Sequence, residues 1–237
     1  MTYNASHSVP LAMVAAFRWE VSALLRRQRN IIRLEDNHFR FLLNGKPVVL
    51  AIAGAGAENA YHATSALVRK YSVAGSLSIG FAGGLCETVK VGELVVADVV
   101  IDERTGEHFP CQMHLLPIDF GMRGRLLSVV SVVNSAEAKR ALGSRWDAVA
   151  VDMESIGVAR ASKEMGLPFG AIKSITDASD QSIAIDFQRC RSDDEGLSSW
   201  RIVREGIASP RGIRSLWKLA SSSRRAAGKL ALALCSV

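Results

Sequence analysis

Short apolar runs that end at small or glycine-rich turns, each followed by a stretch of helical period, recur along the chain, and this alternation is the strongest constraint on its fold. It is the pattern of an α/β domain. Leu11 to Ala16 leads into a helix from about Trp19 to Gln28, while Phe39 to Leu43 and Val48 to Ala53 flank Asn44-Gly45, a hairpin turn signal. Gly54-Ala55-Gly56 precedes a helix over Asn59 to Tyr71, and Leu77 to Phe81 reads as a strand that stops at Ala82-Gly83-Gly84. Further strands are predicted at Leu94 to Ile101, Leu126 to Val133, Ala148 to Val151 and Phe169 to Ile175, with helices over Ala136 to Leu142 and Glu154 to Met165. From about Gly196 the pattern is helical, broken at Ser209-Pro210 and again near Ser221 to Ser223. Residues 1–208 therefore read as one domain, and 209–237 as a basic amphipathic helical tail packed on it or extending from it.

Composition narrows the function classes. With 49% apolar and 22% charged residues the chain can bury a sizeable core, so it is not a disordered protein. The net charge of +6 is gathered at one end: no acid follows Glu205, whereas Arg211, Arg214, Lys218, Arg224, Arg225 and Lys229 remain. A nucleic acid partner is not expected. Cys86, Cys111, Cys190 and Cys235 form no paired spacing and the histidines no ligand spacing, so neither a zinc site nor a disulfide framework is indicated. Reduced thiols fit a cytoplasmic location. Leu11 to Phe17 lacks a basic flank and is followed at once by Arg18 and Glu20, so it reads as a first buried strand rather than a signal segment. No apolar run approaches the roughly 18 residues of a membrane span. Gly54-x-Gly56 sits between a strand and a helix, but Asn59 stands where a dinucleotide fingerprint has its third glycine. It reads as a tight turn, and no cofactor is expected.

Three carboxylates, Glu20, Glu154 and Asp177, lie at or just beyond the carboxyl ends of strands, where open α/β sheets put their sites. Breaking an N-glycosidic bond passes through an oxocarbenium-like sugar. It needs an acid for the departing base, an activated nucleophile on the other face, and acceptors for the sugar hydroxyls. Three carboxylates can fill those roles. Glu154, read in the first turn of a helix, is favoured there as an anion by the helix dipole, and it fits an ordinary helix-start acid equally well.

The run Ala150-Val151-Asp152-Met153-Glu154-Ser155, then Pro168-Phe169, then Lys173-Ser174-Ile175-Thr176-Asp177 with Asp180, resembles methylthioadenosine/S-adenosylhomocysteine nucleosidases and related purine nucleoside phosphorylases. Phe81-Ala82-Gly83-Gly84-Leu85 with Lys90-Val91-Gly92-Glu93 resembles their adenine-side glycine loop, and Glu20-Val21-x-x-Leu24-Leu25 their N-terminal catalytic helix. The resemblance covers roughly residues 11–180 in the family's order. It implies a three-layer α/β/α fold around a central mixed sheet, with 1–208 as the catalytic domain. It implies that Asp177 protonates or hydrogen-bonds the adenine N7, that Glu20 activates water, and that Glu154 with Met153 holds the 2′ and 3′ hydroxyls. Ala82 and Gly83 would line the base pocket through their backbones. Lys173 stands where the family has an arginine, Phe81 where it has a serine near the ribose, and no base-stacking aromatic is found in Val132 to Glu137.

The Val151-Asp152-Met153-Glu154-Ser155 form, with Ser209-Pro210-Arg211 and Leu216-Trp217-Lys218-Leu219-Ala220 in the tail, resembles the hopanoid-associated nucleoside phosphorylases. That resemblance implies release of adenine from adenosylhopane, a membrane lipid with a water-facing adenosyl head, to give ribosylhopane, and a homodimer. Ile213, Leu216, Trp217, Ala220, Ala227, Leu230, Ala231 and Leu234 can share one helical face, suited either to covering the sheet or to peripheral contact with an anionic membrane. The alternatives that stay open are a methylthioadenosine/S-adenosylhomocysteine nucleosidase, a phosphate-dependent phosphorylase, and a non-catalytic nucleoside-binding module. Water suits a site holding Glu20 better than phosphate does, since two anions within about 4 Å repel by roughly 4 kcal/mol at an effective dielectric near 20. Arg18 and Lys173 would offset that repulsion only if both pointed inward.

Overall fold

A computed structural model describes residues 9–35, 37–112, 121–184 and 210–236. In chain order its elements are β1 (Leu11–Ala15), α1 (Arg18–Arg27), β2 (Ile32–Glu35), β3 (His38–Leu43), β4 (Lys46–Ile52) and α2 (Ala57–Tyr71). There follow β5 (Gly75–Gly84), β6 (Leu94–Asp102), β7 (His108–Pro110), β8 (Met122–Ser128), α3 (Ala136–Trp146), β9 (Ala148–Asp152), α4 (Ser155–Glu164), β10 (Phe169–Asp177) and α5 (Pro210–Cys235).

Alternate residues of β1 show why the helices fall into layers. Ala12 and Val14 pack with Ala60 and Leu67 of α2 and with Val158 and Ala159 of α4. Met13 and Ala15 point the other way, to Val21 and Leu24 of α1 and Leu230 and Leu234 of α5. A strand with both faces buried needs a helical layer on each side, so the expected α/β/α arrangement follows from the period of two. On the first side α2 and α4 approach so closely that a Cβ on Gly157 would fall 1.9 Å from the Ala57 carbonyl oxygen.

The sheet is mixed. Strand β5 is its junction, pairing in parallel with β1 and β10, and through Gly83 and Gly84 in antiparallel with Val151 and Ala150 of β9. From β10 the pairing continues to β6, β8 and back to β9, so five strands close into a ring, while β4, β3 and β2 extend from β1 as a wing. The ring sets Gly83 opposite Asp177 and Ser128 opposite Asp152.

The expected hairpin at Asn44-Gly45 joins β3 and β4. Strands β2 and β7 lie outside the predicted pattern, being short pieces of four and three residues at the sheet margin. The strand expected over Leu126 to Val133 ends at Ser128, and Val129, Val132 and Val133 face a cavity instead of a ladder. The tail is one helix of 26 residues with no break at its serines. Ser221 and Ser222 return their hydroxyls to the carbonyls of Lys218 and Leu219, 2.9 and 3.1 Å away, so the turn absorbs its own polar groups. The tail face does not act as one: Ala227, Leu230, Ala231 and Leu234 are buried, but Trp217 is 72% exposed and Ala220 is also exposed. Arg211, Ile213 and Arg214 lie outside the described side chains, as does the helical reading of 196–209 outside the described residues.

Candidate active site

Glu20 occupies the third position of α1, and its side chain turns back to the helix start. One oxygen accepts the Phe17 N–H at 2.9 Å, half of a capping box, and the other accepts the Phe81 N–H from β5 at 3.1 Å. The carboxylate fits there because position 80 carries no side chain: a Cβ on Gly80, whose φ is +138°, would lie 2.9 Å from Glu20 Oε2. Burial pushes the Glu20 carboxyl above its ordinary range, against the opposing pull of Lys173 and of the Phe17, Phe81 and Ala16 amides.

Glu154 caps α4 rather than standing within its first turn, and its carboxylate turns away from the helix. Oε1 accepts the Gly56 N–H at 2.9 Å and Oε2 the Met153 N–H at 3.3 Å. The last amide of the Gly54-Ala55-Gly56 turn thus fixes a site carboxylate. Burial first, and then the neighbouring Asp152, raise the Glu154 carboxyl to about 7, while Lys173 and the Gly56 amide hold it down.

Lys173 does not line the cavity. It is buried on β10 with its ammonium 2.9 Å from Asp152 Oδ2, which also accepts the Ser155 N–H at 3.0 Å and the Ser155 hydroxyl at 2.6 Å. Burial works against the Lys173 charge, but Asp152, Glu154 and Glu20 outweigh it and raise its pKa. Asp152 itself escaped the sequence reading as a site residue, and its Oδ1 is buried with no hydrogen-bond partner among the described residues.

At the other end Asp177 closes β10. Its Oδ1 accepts the Thr176 hydroxyl at 2.7 Å and its Oδ2 is bound by the ammonium of Lys139, a fully buried residue of α3. A Cβ on Gly83 would lie 3.1 Å from Asp177 Oδ2, so the glycine edge of β5 runs directly beside this carboxylate. Sequence reasoning also missed Lys139, which on a helix with Glu137 and Arg140 looks like one more solvated cation.

These groups surround a cavity of about 190 Å³. Glu20, Phe81, Ala82, Gly83, Met153, Glu154 and Asp177 all line it, and Asp152 joins them. Among the described lining residues there are four carboxylates and no lysine or arginine. Apart from Thr176 and Ser223 its remaining wall is apolar: Phe17 and Trp19, stacked at 4.1 Å, line it with Val129, Val132, Val133, Ile183 and, from α5, Leu219. Arg18 stays outside, exposed, its guanidinium 5.4 Å from the Phe39 ring centre. A larger and more polar cavity of about 450 Å³ adjoins this one, sharing Thr176, Asp177, Ile183 and Leu219.

Among solved structures the fold is similar to the methylthioadenosine/S-adenosylhomocysteine nucleosidase of Helicobacter pylori, with a TM-score of 0.72 and 19% identity over 97% of this chain and 98% of that one. It is similar also to the futalosine hydrolase of the same organism, with a TM-score of 0.71 and 19% identity over 98% of each chain. In sequence, the methylthioadenosine/S-adenosylhomocysteine nucleosidase of Staphylococcus epidermidis is 24% identical over 206 residues, 75% of this chain and 90% of that protein. Residues 10–195 match the family described as the phosphorylase superfamily, and on that match, which takes in most of the chain, the protein belongs to the phosphorylase superfamily.

Proposed function

We propose that the protein is a nucleosidase that hydrolyses the N-glycosidic bond of an adenosyl substrate bearing an apolar 5′ substituent. The observation that carries the reading is the charge of the cavity: four lining carboxylates, with two buried ammoniums, Lys173 and Lys139, held behind Asp152 and Asp177 and outside the lining. Such a wall attracts a developing oxocarbenium ion and repels a phosphate dianion, which asks for clustered arginines or free amides. Glu20, raised by burial, takes a proton from the attacking water. Glu154 accepts from the sugar hydroxyls, Asp177 faces the departing base, and Ala82 and Gly83 line the cavity beside it. The similar nucleosidases and futalosine hydrolase support the reaction class. The experiment is product analysis in phosphate buffer. A free ribosyl product at a rate independent of phosphate is expected, and a ribose 1-phosphate ester would overturn hydrolysis.

The apolar wall bears on the substrate. Phe17, Trp19, Val132, Val133 and Leu219 favour a hydrophobic 5′ group, and the resemblance in the Val151 to Ser155 run points to adenosylhopane. The outward half of α5, with Trp217 exposed beside Lys218, suits an enzyme that meets its lipid at an anionic surface, although no described helix is long and apolar enough to cross a membrane. The second reading, a methylthioadenosine/S-adenosylhomocysteine nucleosidase, is favoured by the names of the relatives. Adenine release from adenosylhopane and from methylthioadenosine, compared as kcat/KM, separates the two. Trp217→Ser is the fitting membrane probe, since deleting the tail would also strip Leu230 and Leu234 from the core at about 1.5–3 kcal/mol each. It is expected to weaken sedimentation with anionic vesicles about fivefold and to leave turnover of methylthioadenosine unchanged.

A further inference from the structure

Lys139 is the largest fully buried polar side chain at the base end of the cavity, and its burial needs an explanation. Its ammonium has three hydrogens and three acceptors: Asp177 Oδ2, the Gln181 carbonyl at 2.8 Å and the Ala178 carbonyl at 3.1 Å. A buried cation is tolerated only beside a counter-charge, and Asp177 is the one carboxylate among the described residues that it touches. The framework around the pair is stiff. Ser135 caps α3, the Ala136 N–H donates to the Ser182 hydroxyl at 3.0 Å, and the Ile183 N–H donates to the Asn134 carbonyl at 2.8 Å. The helix that carries Lys139 is thereby pinned to the turn that follows Asp177.

We infer that Lys139 is a positioning residue that keeps Asp177 as a carboxylate in the resting enzyme and supplies the proton that leaves with the base. The inference rests on the nucleosidase reading. As the C1′–N9 bond breaks, its electron pair goes to the purine. The Nζ–H bond of Lys139 breaks as an O–H bond forms on Asp177, and that proton passes to N7. Lys139 is left as a neutral amine and recovers a proton from solvent after adenine departs, which balances the proton that Glu20 removes from the attacking water. A resting carboxylate also has a preference that a carboxylic acid lacks: it accepts from a base whose N7 bears hydrogen and meets a bare N7 lone pair with repulsion.

Two ligands read this directly without turnover: 9-deazaadenine, whose N7 carries hydrogen, and 9-methyladenine, whose N7 is a lone pair. Wild-type protein is expected to bind 9-deazaadenine at least tenfold more tightly, measured by calorimetry. In Lys139→Met the carboxyl takes up a proton, and the preference reverses towards 9-methyladenine. A merely structural role would lower both affinities together and leave their ratio unchanged, and that result would overturn the proposal. Lys139→Arg separates charge from proton supply, because a guanidinium keeps the charge and does not release its proton. It is expected to retain the 9-deazaadenine preference and to release adenine from methylthioadenosine at least tenfold more slowly than wild type. Wild-type turnover in Lys139→Arg would remove Lys139 as the proton source. Absence of binding by either base to wild-type protein would instead count against the nucleosidase reading itself.

Discussion

The two ends of the cavity each hold a buried lysine, but in opposite balance. At the sugar end Glu20, Asp152 and Glu154 act on one ammonium, Lys173, so carboxylates outnumber cations, and burial raises the Glu20 and Glu154 carboxyls, helped at Glu154 by the neighbouring Asp152. At the base end one carboxylate, Asp177, faces one ammonium, Lys139. The sugar end is short of positive charge until the substrate develops it, whereas the base end is neutral before the substrate arrives. Burial is similar at both ends, so the difference lies in the count of partners.

The same isosteric substitution made at each end should break the comparison most sharply. Asp177→Asn cannot pass a proton to the base and is expected to lower adenine release by about 10²–10⁴-fold. It also strands the Lys139 ammonium, and loss of one partner from a buried pair costs about 3–5 kcal/mol, so denaturant unfolding should show a large fall in stability. Glu20→Gln is likewise expected to cost activity, on the order of 10²-fold. It removes a carboxylate that burial disfavours, so its stability at pH 8 should equal or exceed wild type. Equal losses of stability in the two variants would refute the distinction.

A smaller effect tests the sugar end alone. With the Glu154 carboxyl at about 7, kcat/KM should fall about tenfold per pH unit below that value, as the acceptor for the sugar hydroxyls becomes protonated. Its folded value lies above the ordinary 4.5, so between those limits the folded chain holds more protons than the unfolded one. Stability from this group therefore declines as pH rises through that window. Urea unfolding should show Glu154→Gln gaining on wild type from pH 4.5 to 7, and a constant difference would disprove the shift. The smallest expected change is in the midpoint itself. Asp152 is the second cause of the Glu154 rise, so Asp152→Asn should move the activity limb below 7, read from the same pH profile.

The two ends also differed in how far the sequence disclosed them. Glu20, Glu154 and Asp177 were legible because each lies at or just beyond the end of a buried strand, and the strands were legible from their apolar runs. Lys139 and Asp152 were not, since what makes each one special is a partner distant in sequence: Lys139 meets Asp177 and Asp152 meets Lys173. A helix bearing Glu137, Lys139 and Arg140 has the composition of a solvated surface, and only the path of the following turn buries one of its cations. The overextended strand at Val129 to Val133 failed for a related reason. Its apolar residues are there to line a cavity, and hydropathy alone does not tell a ligand from a neighbouring sheet face. The serine triplet in α5 misled because hydroxyls that satisfy themselves within the helix look the same in sequence as those that end one.

The ring of strands has a consequence in time. Its closing pieces, the pairings of β10 with β5 and β6, join segments that lie far apart in sequence, Phe169 with Ser76 and Ile172 with Val96, and belong to the last described strand before α5. A growing chain that has reached only Pro168 already carries Glu20, Glu154 and Lys139, but it has neither Lys173 nor Asp177, and β5 and β6 each have an open edge. Contacts of such long range cost chain entropy before they return anything, so this closure is expected to be the slow event of folding. During synthesis the chain would thus pass through a stage with two unpaired strand edges and a lysine still without its partner, and competence and compactness would arrive together, with the emergence of a single strand.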